Sequence, residues 1–180
     1  RLASQARKQV STIHGFCRKI LADFPLEAGI SPLAAMLDGK GADALKEEVL
    51  EELFLHPSAA AKPHFELLFA EYSRMALEKM LLKLAEKGLL LEMDFAEVSK
   101  ILAGQESAYR IPPEPRNRQV LTALISLQRE FLILYREAKK SQDVLDFNDL
   151  EEFALKALSH PHVQKHYRDL YSLILVDEFQ

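Results

Sequence analysis

The chain has 180 residues, 48% hydrophobic and 28% charged, with 23 basic against 27 acidic side chains and a net charge of −4. That is enough apolar sequence to bury a core, and the charge balance excludes a wholesale polyanion binder while leaving room for a local basic patch. A single cysteine, Cys17, excludes an internal disulfide and a cysteine-based zinc cluster, and no apolar run approaches the roughly 20 residues that span a bilayer.

"QVSTI", Gln9 to Ile13, is β-branched and reads as a strand that turns into a helix. "DGKGAD", Asp38 to Asp43, reads as a surface loop; it has neither the spacing nor the preceding apolar strand of a phosphate-binding loop. A helix is expected next, capped by Asp43 and closed before Pro57, with Leu45, Val49, Leu50 and Leu53 inward and Glu47, Glu48, Glu51 and Glu52 solvated. From Pro63 to Gly88 the spacing predicts one long helix with Phe65, Leu68, Phe69, Tyr72, Met75, Ala76 and Met80 along its stripe. A short helix capped by Asp94 and stopped by Gly104 is followed by the proline-rich break "IPPEPRNR". From about Arg116 to Lys140 another long helix is expected, its stripe running through Leu121, Leu124, Ile125, Gln128, Leu132 and Tyr135. "DFNDLEEFALKALSHP" carries Asp146 as cap and Asp149 three residues on, the pattern of a capping box, and Pro161 opens a last short helix. "SLILV", Ser172 to Val176, is a continuous apolar run of the kind buried on both faces of a parallel sheet. Two such strands bracketing a long helical block make a poor sheet alone, so the remaining strands are expected outside this segment.

The residues at the two ends carry a family resemblance. "LILVDEFQ" resembles the Walker B strand, motif II, of superfamily 1 DNA helicases of the UvrD/RecB type. "LDFNDL", Leu145 to Leu150, resembles the segment that precedes it, and "VSTIHGFCRKIL", Val10 to Leu21, is similar to motif Ib. "FPLEAGI", Phe24 to Ile30, resembles the continuation in the AddA branch, the helicase component of helicase–nuclease complexes. The resemblance implies a mainly α segment: a helical insertion, subdomain 1B, whose two short end strands belong to an incomplete RecA-like α/β motor domain. Residues 1–24 would be motor stub, 25–144 the insertion, and 145–180 the return to motif II.

In that family the role of Asp177 is to hold Mg²⁺, of Glu178 to act on the attacking water, and of Gln180 to sense the terminal phosphate of ATP. Thr12, His14 and Arg18 fall where motif Ib lies against single-stranded DNA; hydroxyl, imidazole and helix N-terminal N–H groups all suit phosphate. Thr12 and His14 have a plainer reading as helix caps. Phe16 reads as core rather than a stacking platform, and Cys17 as a small buried hydrophobe. His162 and His166 share a helix face, for which a solvated surface is preferred over a metal site. Arg116 and Arg118 read as part of a linker. No Gly-rich phosphate loop is present among six glycines, so the segment by itself is expected not to hydrolyse Mg-ATP. With no initiator Met and an acidic pair at its end, the chain reads as a piece cut at motif II.

The expected whole is an ATP-dependent 3′-to-5′ DNA helicase of repair and recombination. Its partners would be single-stranded and duplex DNA and an AddB/RecC-like component of a nuclease complex; its location would be cytoplasmic, with no membrane contact. A free-standing helical protein-interaction module is the alternative.

Overall fold

The structure, a computed structural model, describes residues 10–86 and 115–177. In chain order its elements are α1 (Ile13–Asp23), α2 (Pro25–Ala28), β1 (Ala35–Met36), α3 (Gly39–Leu55), α4 (Lys62–Phe69), α5 (Arg74–Glu86), α6 (Pro115–Ser141), β2 (Val144–Leu145), α7 (Phe147–Leu158) and α8 (Pro161–Leu170). The mainly α class holds, with two short strands. Those strands are not the expected ones. Thr12 caps a helix that begins at Ile13, and Ser172–Val176 forms no strand. The pair that forms is β1 with β2, parallel, Ala35 opposite Val144 and Met36 opposite Leu145. An apolar run becomes a strand only where another strand accepts its backbone hydrogen bonds. Ala35 finds Asp143, and Leu37 finds Leu145, at 2.9 and 2.8 Å.

The chain divides into two compact units, 1–38 with 143–180, and 39–142. In the first, α1 packs on α7 through Cys17, Ile20, Leu21, Leu150, Ala154 and Ala157, all buried. Ala28 of α2 is completely buried in the same core. That anchorage places α2 in the first unit, with β1 following it. Asp146 caps α7 by accepting from the backbone N–H groups of Asn148 and Asp149, and Asp149 returns the bond by accepting from the N–H of Asp146. Val163 and Tyr167 of α8 close the core.

In the second unit, α3, α4 and α5 each pack on α6. Ala42, Leu45, Val49, Leu50 and Leu53 form the buried stripe of α3. Because Ala42 belongs to that stripe, α3 begins at Gly39, so "DGKGAD" is a first helical turn rather than a loop. Asp43 lies inside the helix, paired with Lys46 at 3.1 Å instead of capping it.

The single helix expected from Pro63 to Gly88 is two helices. Phe65 and Leu68 are buried, and so are Leu77, Leu81 and Ala85. At about 100° per residue, an unbroken helix would set Leu77 on the face opposite Leu68. The break at Ala70–Ser73 restores the phase, and Ser73 Oγ accepts from the Ala76 N–H to start α5. Phe69, Tyr72 and Met75, expected on the core stripe, are exposed as a result.

The buried stripe of α6 runs through Ala123, Leu127, Gln128, Phe131 and Tyr135; Gln128 and Tyr135 are as expected, Ala123, Leu127 and Phe131 are not, and Leu121 and Leu124 are half-buried. The expected stop at Gly88, the helix at Asp94–Gly104 and the first half of the proline break, 111–114, lie outside the described residues; its second half, Pro115 to Arg118, expected as linker, is the first turn of α6.

Candidate nucleic-acid interface and motif II segment

The N-terminus of α1 is built around Thr12. Its backbone is extended (φ −68°, ψ 162°), and its Oγ1 accepts from the Gly15 N–H at 3.1 Å. A Cβ at Gly15 would meet that oxygen at 3.3 Å, tighter than ordinary packing, so glycine suits the close approach. Thr12 therefore caps the helix, the plainer of its two readings, and its hydroxyl proton remains available for donation.

His14 is held from the side by α7. Its Nε2 lies 3.6 Å from Glu151 Oε1, and its ring meets Phe147 edge-on with centroids 5.9 Å apart. Both partners of the ion pair are about half exposed, at 50% and 45%, so the pair orients more than it stabilises. Arg18 is exposed one turn further along α1, on the same side as His14. Cys17, buried beneath them, has its thiol pKa raised by burial and then by the Glu151 charge, which makes it a poor nucleophile. Phe16 is core, with its ring edge-on to Tyr167 and Tyr171 at 5.6 and 6.0 Å.

Motif reasoning passes over Glu151 and Phe147. They sit four apart, on one helical face of the stretch that resembles the approach to motif II, and nothing local in the sequence ties that face to His14 on another helix.

His162 and His166 are exposed, as a solvated face requires, and each also touches a neighbouring element. His162 Nε2 bonds Glu27 Oε1 of α2 at 2.8 Å, and the Phe24 ring meets His162 and His166 edge-on. The His162 bond holds the Glu27 carboxyl below its usual pKa. Among the described residues no group of three His, Cys, Asp or Glu side chains is placed to bind a metal.

The apolar run before the acidic pair leaves α8 as an irregular segment with its side chains in solvent, Leu173 73% and Leu175 84% exposed. Asp177 is exposed at its end; Glu178 and Gln180 lie outside the described residues. A lone carboxylate fits one position around Mg²⁺, which takes about six oxygens, several from phosphate and water. The Gly-Lys-Gly stretch, the nearest in composition to a phosphate loop, is the start of α3. Of the three motif II candidates, Asp177 alone lies among the described residues. No described helix is long and apolar enough to cross a membrane.

The capped N-terminus of α1 and the first turns of α7, two of the stretches by which the sequence resembles helicases, lie against each other. The comparison with family models makes that resemblance membership. The model described as the UvrD/REP helicase N-terminal domain matches residues 2–180, and the chain belongs to that family.

Among curated relatives, an ATP-dependent helicase/nuclease component from Syntrophomonas wolfei is 44% identical over 52 residues, 29% of this chain and 4% of that protein. The protein of the same description in Clostridium novyi is 43% identical over 61 residues, 34% of this chain and 5% of that protein. In Pelotomaculum thermopropionicum the identity is 29% over 131 residues, 64% of this chain and 10% of that protein. The matches thus span a tenth or less of these relatives' own length. No solved structure matches the chain at a significant level.

Proposed function

We propose that this chain is the motif Ib to motif II segment of an ATP-dependent DNA helicase, an AddA-like component of a helicase–nuclease complex acting in repair and recombination. Residues 25–144 would hold the helical insertion of subdomain 1B, flanked by motor-domain sequence at 1–24 and 145–180. Thr12, His14 and Arg18 contact the phosphates of single-stranded DNA; Asp177 holds the Mg²⁺ of Mg-ATP, Glu178 acts on the water and Gln180 senses the terminal phosphate. Movement is 3′ to 5′ along the bound strand. The partner is an AddB/RecC-like protein, and the compartment is the cytoplasm. By itself the segment does not turn over ATP, because a single carboxylate arm without a phosphate cradle cannot position the nucleotide.

The observation that carries this reading is the family match along almost the whole chain, with the Asp-Glu pair at the motif II position. The relatives' descriptions add the nuclease-complex branch.

The test is made on the full-length gene product. ATP hydrolysis stimulated by single strands, with unwinding of a duplex bearing a 3′ tail, is the expected result. Glu178→Gln should lower kcat by roughly 10²–10⁴ while DNA binding persists. Unwinding only from a 5′ tail would refute the direction. Turnover by the isolated segment that disappears with Glu178→Gln would refute its inactivity.

A further inference from the structure

Of the three side chains assigned to phosphate, Thr12 is neutral and Arg18 is always a cation, while His14 can be either. The two ring nitrogens of His14 have different surroundings. Nε2 lies 3.6 Å from Glu151 Oε1, and Phe147 meets the ring edge-on from the same helix. Nδ1 makes no hydrogen bond among the described residues, and the side chain is half-exposed. A carboxylate accepts and does not donate, so the neutral tautomer it favours carries its proton on Nε2 and a lone pair on Nδ1. A phosphate oxygen is also an acceptor, and a lone pair cannot bond it. Nδ1 becomes a donor when the ring takes a second proton.

The charges around the ring come from few elements. α1 is packed by α7 and α2, and Tyr167 of α8 also reaches it. Glu151 faces the ring from α7; on α1 itself Arg18 follows one turn on and the Cys17 thiol lies buried beneath. The acid of α2, Glu27, is bonded to His162, and the Tyr167 phenol to Asp23. Asp23 is the last residue of α1, about 13 Å along the helix from His14 and beyond the screening length of about 8–10 Å at ordinary salt. Arg18 opposes a second proton on the ring, and Glu151 favours it. A bound phosphate adds another anion in its favour.

We propose that Glu151 is a positioning residue that couples single-strand binding to proton uptake: by holding Nε2 of His14 it leaves Nδ1 as the phosphate contact, which donates when the ring is an imidazolium. The inference rests on the reading of His14 as a phosphate contact and adds to it a residue on another helix and a dependence on pH. The proton comes from solvent and enters at Nδ1. The imidazolium then stands between two anions, Glu151 and the phosphate, and release of the strand returns the proton to solvent. Since the complex holds a proton that the free neutral ring does not, affinity falls as pH rises.

The experiment uses the full-length gene product in EDTA without nucleotide, so that no strand is cut or moved. Affinity for a single strand of mixed sequence is measured at constant salt between about pH 6 and 9, a range that brackets the ordinary imidazole titration. Calorimetry in two buffers of different ionisation heat counts the protons taken up. Uptake of one proton lowers affinity by about tenfold per pH unit at the steepest. His14→Gln should bind less tightly than wild type at the acid end, and the deficit should close toward the alkaline end. Glu151→Gln should flatten the profile, because an amide can donate to Nε2, which moves the proton of the neutral ring to Nδ1 and makes it a donor without charge. Glu151→Asp, which keeps the carboxylate, should keep the slope. A residue that merely held the two helices together would shift affinity equally at every pH.

A Glu151→Gln profile parallel to that of wild type overturns the proposal. So does a His14→Gln profile that runs below wild type by the same factor at every pH, which would keep the phosphate contact and remove the proton from it. If His14→Gln matches wild type in affinity throughout, His14 does not touch the strand; the phosphate-contact reading fails first, and this inference falls with it.

Discussion

In the first unit, side-chain bonds tie together parts of the chain that are far apart in sequence: Tyr167 with Asp23, and His162 with Glu27, separated by 144 and 135 residues. The buried acids there, Asp146 and Asp149, satisfy each other's helix turn. The second unit also has such a tie on its surface, Arg116 donating to Glu71 across 45 residues, but its interior is of another kind. Its helices meet through aliphatic and aromatic packing around Phe131, Leu127, Leu77 and Leu81, and the side chain of Gln128 is buried with neither polar atom bonded. Polar bonds are directional and fix a unique geometry, whereas apolar packing supplies more of the free energy and tolerates repacking. Such placement is what Glu151 and Phe147 give the His14 ring.

The largest effect should come from the cores. Phe131→Ala is expected to cost about 3–5 kcal/mol and Leu150→Ala about 2–5 kcal/mol, since each removes a fully buried side chain. If the cores are separate, urea unfolding followed by amide exchange will show Phe131→Ala loosening 39–86 and 115–142, and Leu150→Ala loosening α1, α7 and α8. A single common loss of protection in both variants would break the comparison.

Gln128 sharpens it from the other side. A buried amide with no partner carries its desolvation cost, about 1–3 kcal/mol, without return. Gln128→Met, close in volume and apolar, should raise the stability of the second unit by about 1–2 kcal/mol. The midpoint of denaturant unfolding reads it. A drop instead would mean that the amide has a role that packing does not reveal.

What is legible in the sequence follows the same division. The cap at Asp146, the box with Asp149, the start at Pro161 and the helix at Thr12 can all be read, because capping is decided by residues within one turn of each other. The split of α4 from α5 cannot. The apolar pattern runs on through Tyr72, and the only local mark is the cap at Ser73; the break is imposed by Leu68 and Leu77 both having to face α6. The missing strand at Ser172–Val176 is a failure of the same kind. Its composition is that of a strand, but strands form in pairs, and no described residue pairs with this one. At the candidate site, Thr12, His14, Arg18 and Asp177 can be picked out by motif. The brace on His14 by Glu151 and Phe147 cannot, since it crosses from α1 to α7.

Removing the cap should have a smaller effect than opening the core. Asp146→Ala leaves the N–H groups of Asn148 and Asp149 without their acceptor and should cost about 1–2 kcal/mol. Faster amide exchange confined to the first turn of α7 is the expected signature. Because His14 leans on Phe147 and Glu151 from that turn and the next, the variant should also weaken single-strand binding modestly. A loss of binding with no change in exchange would separate the cap from the brace.

The smallest effect is the most specific to the polar unit. Asp23 Oδ2 accepts from Tyr167 Oη at 2.9 Å and from Lys19 Nζ at 2.7 Å. Burial alone would raise the Asp23 pKa, but the bonds from Lys19 and then Tyr167 outweigh it and hold the carboxyl below its ordinary range. A depressed folded pKa means that this stabilisation is fully present above the unfolded value, about 3.9, and is lost as pH falls through the folded one. Tyr167 shifts upward, through burial first and the Asp23 bond second, so its phenol remains the donor throughout the neutral range. Tyr167→Phe should therefore move the Asp23 titration, followed by carboxyl NMR, back toward ordinary values and cost about 1 kcal/mol at neutral pH. The cost should disappear in acid, where the wild type has lost the same interaction. If Asp23 titrates unchanged in the variant, Lys19 alone sets its charge. The link between α1 and α8 would then rest on ring packing, as the second unit rests on its apolar core.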